Sequence, residues 1–206
     1  MPRVRRTALV VGSAVLAAAC SHSPAGGQAD TAATATVRSA ALPHSGAPKV
    51  EHPLPASVLS GDPCKTALTP AQVESIISVA PPGKLRNIGG LGPSCRWSNI
   101  DSGSAISTGY VTEDHQGLSA VYRNSKPKAK LWRPLPPVQG FPAVAFTVDL
   151  GDGLCQVSVG TADDLSIDVT ISLGESTKGN TDPCTVAGQA ADMVIANLRR
   201  RAEGSR

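Results

Sequence analysis

The chain is poor in aromatic residues: six in 206, all between Trp97 and Phe146. A folded core must therefore be mainly aliphatic, with an aromatic centre. Histidine is scarce where catalysis would need it. Beyond residue 58 only His115 remains, in the polar stretch TEDHQG, where it reads as a solvated loop residue. A serine or cysteine nucleophile would be left short of a base, and no G-x-S-x-G occurs. No two cysteines have the C-x2-C spacing of a zinc site. The glycine-rich stretch NIGGLGP at 87–93 has no Lys-Ser/Thr after it, and Pro93 blocks an opening helix. It is neither a P-loop nor a dinucleotide fingerprint. Asp163, Asp164 and Asp168 lie near a strand pattern, and Asp149 and Asp152 flank a turn. Carboxylates at turns bond to nearby backbone N–H groups, and neither set has EF-hand spacing. No catalytic residue, metal ligand or cofactor is assigned.

The N-terminal apolar run, residues 8–19, is shorter than the ~20 residues of a membrane span. It follows Arg3, Arg5 and Arg6 and leads through small residues to Cys20, the three-part pattern of a secretory signal. Two cleavage readings compete. Ala17-Ala18-Ala19 fits the small-x-small rule of ordinary signal peptidase. Ala17-Ala18-Ala19-Cys20 also resembles a bacterial lipobox, with Ala17 where leucine is usual and Leu16 one place early. Lipidation at Cys20 is the favoured reading, because it leaves an even number of cysteines behind. Arg5-Arg6 ahead of Leu9 is also compatible with a twin-arginine route.

Discarding residues 1–19 changes the charge argument. The chain has 19 basic and 16 acidic residues, and three of the arginines lie in the signal. The remainder is balanced, so a global electrostatic case for nucleic acid disappears. Residues 20–58 are rich in Ser, Pro, Ala, Gly and Thr, without apolar periodicity or aromatics. Such composition reads as a disordered tether, with a stretched reach of ~115 Å at 3.1 Å per residue. Residues 59–202 are long enough for one compact domain, followed by a tail at 203–206.

Cys64, Cys95, Cys155 and Cys184 imply two disulfides in an exported chain. Cys64 and Cys184 each follow Asp-Pro at a helix start, while Cys95 and Cys155 sit in strand-like alternation. Pairing sequence neighbours, Cys64–Cys95 and Cys155–Cys184, closes two loops of about thirty residues worth ~3.5 kcal/mol each in the chain-entropy model. The rival arrangement joins the helix starts to each other and the strands to each other.

Thr69-Pro70-Ala71-Gln72 is a helix start with a capping box, and Pro81-Pro82-Gly83 ends that helix. A last helix begins at Asp182-Pro183 and leaves through Arg199-Arg200-Arg201, cations that suit its C-terminal dipole. Between them, CRWSNI, SAISTGYVT, AVAFTVDL, CQVSVG and LSIDVTISL alternate as strands. The turn at 149–153 makes a hairpin of 142–150 and 154–160, and residues 117–125 form a short helix. The pattern predicts an α+β fold: an antiparallel sheet of about five strands with the N- and C-terminal helices packed on one face.

The succession DPC-x3-LTPAQV, SCRWS, PLPPVQGFPAVAF, CQVSVG and TDPC with a terminal helix resembles the actinobacterial lipoproteins grouped as domain of unknown function 3558, which include mycobacterial Lpr-type lipoproteins. The match covers about 60–200. Its most specific parts are the four cysteines in context and Gly140-Phe141-Pro142-Ala143. The resemblance implies export, a lipobox and two disulfides; it implies no activity and brings no catalytic residues.

The one local charge cluster is Lys126, Lys128, Lys130 and Arg133 around Trp132, with Arg123 nearby. Its spacing predicts lysines along one edge of an extended segment, with Trp132 inserted into the sheet as an anchor. It is the candidate binding surface for an anionic headgroup, a wall polymer or a partner peptide, although a solvated connector anchored by Trp132 is the favoured reading. The expected protein is a lipoprotein on the outer face of the cytoplasmic membrane, held by an N-terminal diacylglyceryl anchor, or secreted if not acylated. Its domain is expected to bind an envelope protein or wall component without catalysis. Carriage of an apolar ligand or lipid between sheet and helices is the alternative, and an uncharacterised enzyme the third reading.

Overall fold

The computed structural model describes residues 41–148 and 153–204. The signal segment, Cys20, Asp149 and Asp152 therefore lie outside the described residues.

Helix starts follow the capping chemistry. In α1 (Pro63–Thr66) the Asp62 carboxylate accepts from the Cys64 N–H at 2.8 Å. In α2 (Pro70–Ile77) Thr69 and Gln72 form the reciprocal capping box, and Ser78 ends the helix at φ 63°. In α4 (Pro183–Gly204) Asp182 accepts from the Cys184 N–H at 2.9 Å and from the Thr185 hydroxyl at 3.0 Å. The helix α4 includes residues 203 and 204, so the expected tail boundary after 202 moves outward. A short α3 (Leu118–Asn124) lies between the strands.

Among the described residues the sheet has seven antiparallel strands where about five were expected. They are β1 (Lys84–Ile88), β2 (Gly92–Ser98), β3 (Ala105–Val111), β4 (Leu131–Val138), β5 (Phe141–Thr147), β6 (Leu154–Gly160) and β7 (Ser166–Ser172). Their order is β1-β2-β3-β7-β6-β5-β4. The five strands read from alternation are the central ones. The two additional strands are the edges, and each lacks the half-buried alternation that marks a strand in sequence. All of β1 is exposed, and β4 carries Pro134, Pro136 and Pro137. The glycine-rich stretch at 87–93 is the β1–β2 hairpin.

Because side chains alternate across a sheet, the pairing register assigns each residue a face. Ile106, Tyr110, Val157, Val159, Ile167, Val169 and Ile171 point to the first face, together with Cys95 and Cys155. Against them pack α1, α2 and α4, the last through Ala187, Ala190, Ala191, Val194, Ile195 and Leu198, all 0% exposed. Alanines let the α4 backbone come close to the sheet, and the chain's own side chains fill the layer between. Disulfides Cys64–Cys95 and Cys155–Cys184 tie α1 to β2 and α4 to β6. Among the described residues the second face is only partly covered. There α3 sits on the β4–β6 side, through Leu118 and Tyr122 against Val144 and Phe146.

The expected tether is shortened by the structure. Residues 41–58 belong to the folded unit: Val50 and Val58 are buried, as is Leu59. The Leu54 N–H donates to Thr161 O at 2.8 Å, and the Val50 N–H to the Asp163 carboxylate at 2.8 Å. Four spaced aliphatic anchors and backbone bonding replace the continuous periodicity that composition reading looks for.

Candidate functional site

The charge cluster read from sequence is divided by the fold. Trp132, on β4, faces the second side of the sheet beside Phe146 on β5, their ring centroids 5.6 Å apart. Tyr122 of α3 meets the Trp132 ring edge-on at 4.9 Å. Lys126 lies in a 3-10 turn, Lys126–Lys128, that follows α3, and its Nζ stands 5.2 Å from the Tyr122 centroid and 5.6 Å from that of Trp132. Such a cation–π contact is worth ~0.5–1 kcal/mol at an exposed site. Lys126 and Lys128 are therefore in a helical turn, whereas an extended segment was expected. Turning the chain there is what places the Lys126 ammonium over both rings. Lys128 and Lys130 are exposed on either side of Ala129.

Arg133 is not part of this corner. Adjacent strand residues point to opposite faces, so it turns to the first side and pairs with Asp182 at 2.9 Å, joining β4 to the start of α4. Burial opposes the Asp182 charge, but bonds from Arg133, the Cys184 N–H and the Thr185 hydroxyl outweigh it and hold the carboxyl below its ordinary value. Arg123, on α3, donates to Asn124 at 3.3 Å and to Gln116 at 3.5 Å. The structure thus brings together Lys126, Trp132, Tyr122 and Phe146, and sends Arg133 elsewhere.

From β6 to β2 two central rows of the second face are polar. One row crosses it as Gln156, Thr170, Ser107 and Arg96, the next as Ser158, Asp168, Gly109 and Ser94. Arg96 donates to the Ser107 hydroxyl at 3.3 Å. The Ser158 hydroxyl donates to Asp168 at 2.5 Å. Burial lifts the Asp168 carboxyl to about 6, against the pull of hydrogen bonds from Ser158 and Gln156 and with a smaller push from Asp114. In sequence Asp168 groups with Asp163 and Asp164 near a strand pattern, as carboxylates bonding nearby backbone; the register places it instead within β7, in a polar row.

A cleft of about 290 Å³ opens where the last turn of α2 meets the ends of β3 and β7 and the flank of α4. Eight hydroxyl side chains line it, among them Ser75, Ser78, Ser102, Ser104 and Ser172, over a floor that includes Ile76, Ile171, Val186 and Met193. No ionisable side chain lines it among the described residues. Ser75 donates to Gln72 O at 2.8 Å and keeps its lone pairs for a ligand, while Ser102 and Ser104 bond each other at 2.8 Å and Ser102 also accepts from the Ser104 N–H at 3.2 Å. Sequence reading missed this cleft because its hydroxyls come from three separate stretches, 75–78, 102–104 and 172–181, with no local motif. His115 is exposed, 4.0 Å from the Asp164 carboxylate, and lies outside the cleft.

Fold and site define a disulfide-braced α+β domain with an open polar sheet face and a hydroxyl-lined cleft. A family model matches residues 15–197, and the chain belongs to that family, described as protein of unknown function (DUF3558). No curated protein and no solved structure matches it.

Proposed function

We propose that this chain is an actinobacterial cell-envelope lipoprotein, acylated at Cys20, whose domain binds a neutral, polyhydroxylated wall component without transforming it. The cleft carries this reading. Hydroxyls that donate and accept, set over aliphatic side chains, suit the alternating polar and apolar surfaces of a glycan unit. A charged ligand would be desolvated there without a counter-ion, at a cost of several kcal/mol. The volume is near the lower end of the ~300–1,000 Å³ usual for small-ligand sites. Carriage of a lipid between the layers is less well supported, since the α4 alanines and the β-sheet aliphatics already occupy that space. Two disulfides accord with an exported chain.

Anchorage is tested by fractionation. Cys20→Ala should move the protein from membranes to the soluble fraction, and full membrane retention would overturn the anchor. Ligand binding is tested by cosedimenting that soluble variant with protein-free cell walls. Adding Ser75→Tyr, an exposed position on the cleft rim, should lower wall affinity about tenfold, or ~1.4 kcal/mol. No sedimentation of the parent, or equal sedimentation of both, would sink the cleft as the wall-binding site.

A further inference from the structure

The two edges of the sheet are not alike. The β4 edge is interrupted by Pro134, Pro136 and Pro137 and by a register shift between Leu135 and Val138, devices that blunt an edge against further pairing. The β1 edge has neither. Its five residues, Lys84 to Ile88, contain no proline and are all exposed. Leu85 is 54% exposed, Ile88 47%, and Leu91 of the following turn 40%. Half of the exposed large hydrophobic residues described thus fall on one short hairpin, where a surface strand would ordinarily be polar.

The backbone at this edge is set for pairing. Asn87 stands opposite Pro93, and Leu85 opposite Cys95. Proline has no N–H to give, so these are the non-bonded pairs of the ladder. In an antiparallel ladder such residues turn their N–H and C=O groups away from the neighbouring strand. Leu85 and Asn87 therefore direct two donors and two acceptors to the open side. The strand is also held firmly at its start. A Cβ on Gly83 would come 2.4 Å from the Cys95 sulfur, so the chain enters β1 pressed against the Cys64–Cys95 bridge. A strand fixed in advance loses little entropy on pairing.

Charge selects the occupant. Lys84 and Arg86 share a face, and Arg96 of β2 lies directly opposite Lys84 on that face. Self-pairing with a second copy in the fully overlapped antiparallel register sets Arg86 against Arg86, and like charges directly opposite destabilise. We propose that β1 is a docking edge for an extended segment of another protein. That segment adds an eighth strand, with acidic residues beside Lys84 and Arg86 and an apolar residue beside Leu85. This surface is separate from the cleft and does not depend on the wall-binding reading.

The test uses the soluble Cys20→Ala chain and two capped seven-residue probe peptides, one alternating Val with Glu, the other Val with Lys. Binding is followed by fluorescence anisotropy, and its location by amide hydrogen exchange. The Glu peptide should protect the Leu85 and Asn87 amides and bind about tenfold more tightly than the Lys peptide, the size expected from two cross-strand charge pairs. Changing Lys84 and Arg86 together to glutamate, both at exposed positions, should reverse that preference, while Ser75→Tyr leaves it unchanged. Equal affinity for both peptides, no protection at Leu85 and Asn87, or protection of β4 instead would overturn the proposal. Concentration-dependent self-association that protects β1 without peptide would also overturn it, in favour of a second copy.

Discussion

Asp168 shows how much a single residue's meaning depends on register. It stands between Gly109 and Ser158 on the second sheet face, where its carboxyl is lifted to about 6, chiefly by burial, against an ordinary value of 3.8. A carboxyl whose native value is raised binds more protons folded than unfolded between those two pH values. Stability should therefore be greatest near pH 4, fall as pH rises to about 6, and then level off as far as this group is concerned. The shift would correspond to ~3 kcal/mol if fully expressed, and solvent on the open side reduces it. Asp168→Asn keeps an acceptor for the Ser158 hydroxyl and removes the charge. Thermal melts should show the variant more stable by about 1 kcal/mol at pH 7.5 and level with the parent at pH 4. Equal stability at both pH values would show that Asp168 bears no such burden. The same register accounts for Trp132 and Arg133. Both belonged to one basic cluster in sequence, yet successive residues of β4 must leave the strand on opposite sides.

At the scale of elements, legibility followed burial on one face. The strands β2, β3, β5, β6 and β7 each place alternate side chains in a core, so alternation reveals them. Edge strands carry little of that signal: KLRNI of β1 is wholly exposed, and LWRPLPPV of β4 is rich in the residue that argues against a strand. Helix starts were readable because capping is local. Thr69 and Gln72 are three residues apart, and Asp62 and Asp182 each sit two residues before the N–H they accept. The disulfide pairing was readable as a preference for the same reason, since each bridge closes a short loop, with separations of 31 and 29 residues. The short α3 was visible, but its face was not. Its placement against Val144 and Phe146 depends on which side of β5 turns outward, a question that local sequence leaves open. The cleft is less legible still, because it forms where α2, β3, β7 and α4 converge and none of these carries a motif.

For the whole molecule, the consequential difference is where the domain begins. A segment rich in Pro, Ser and Ala looks like a tether by composition, yet residues 41–59 contribute Val50, Leu54, Val58 and Leu59 to the body of the fold. Val50, Val58 and Leu59 are 6%, 3% and 2% exposed. At ~1.5–3 kcal/mol per buried aliphatic side chain, their combined burial is worth on the order of 5 kcal/mol. That is comparable with the whole net stability of many domains, about 5–15 kcal/mol. If Cys20 carries the proposed acyl anchor, twenty residues separate it from Ala41, and their greatest reach is ~60 Å in place of ~115 Å at 3.1 Å per residue. The domain would then be held closer to the membrane than composition suggests. Two chains, beginning at residue 41 and at residue 60 and both with disulfides formed, separate the two accounts. The chain from 41 should melt cooperatively, like the full soluble protein. The chain from 60 should melt on the order of 15 °C lower, with faster exchange at the amides of β6 and β7 beneath the missing segment. Coincident melting curves would mean that residues 41–59 rest on the domain without supporting it, and the longer tether would be restored.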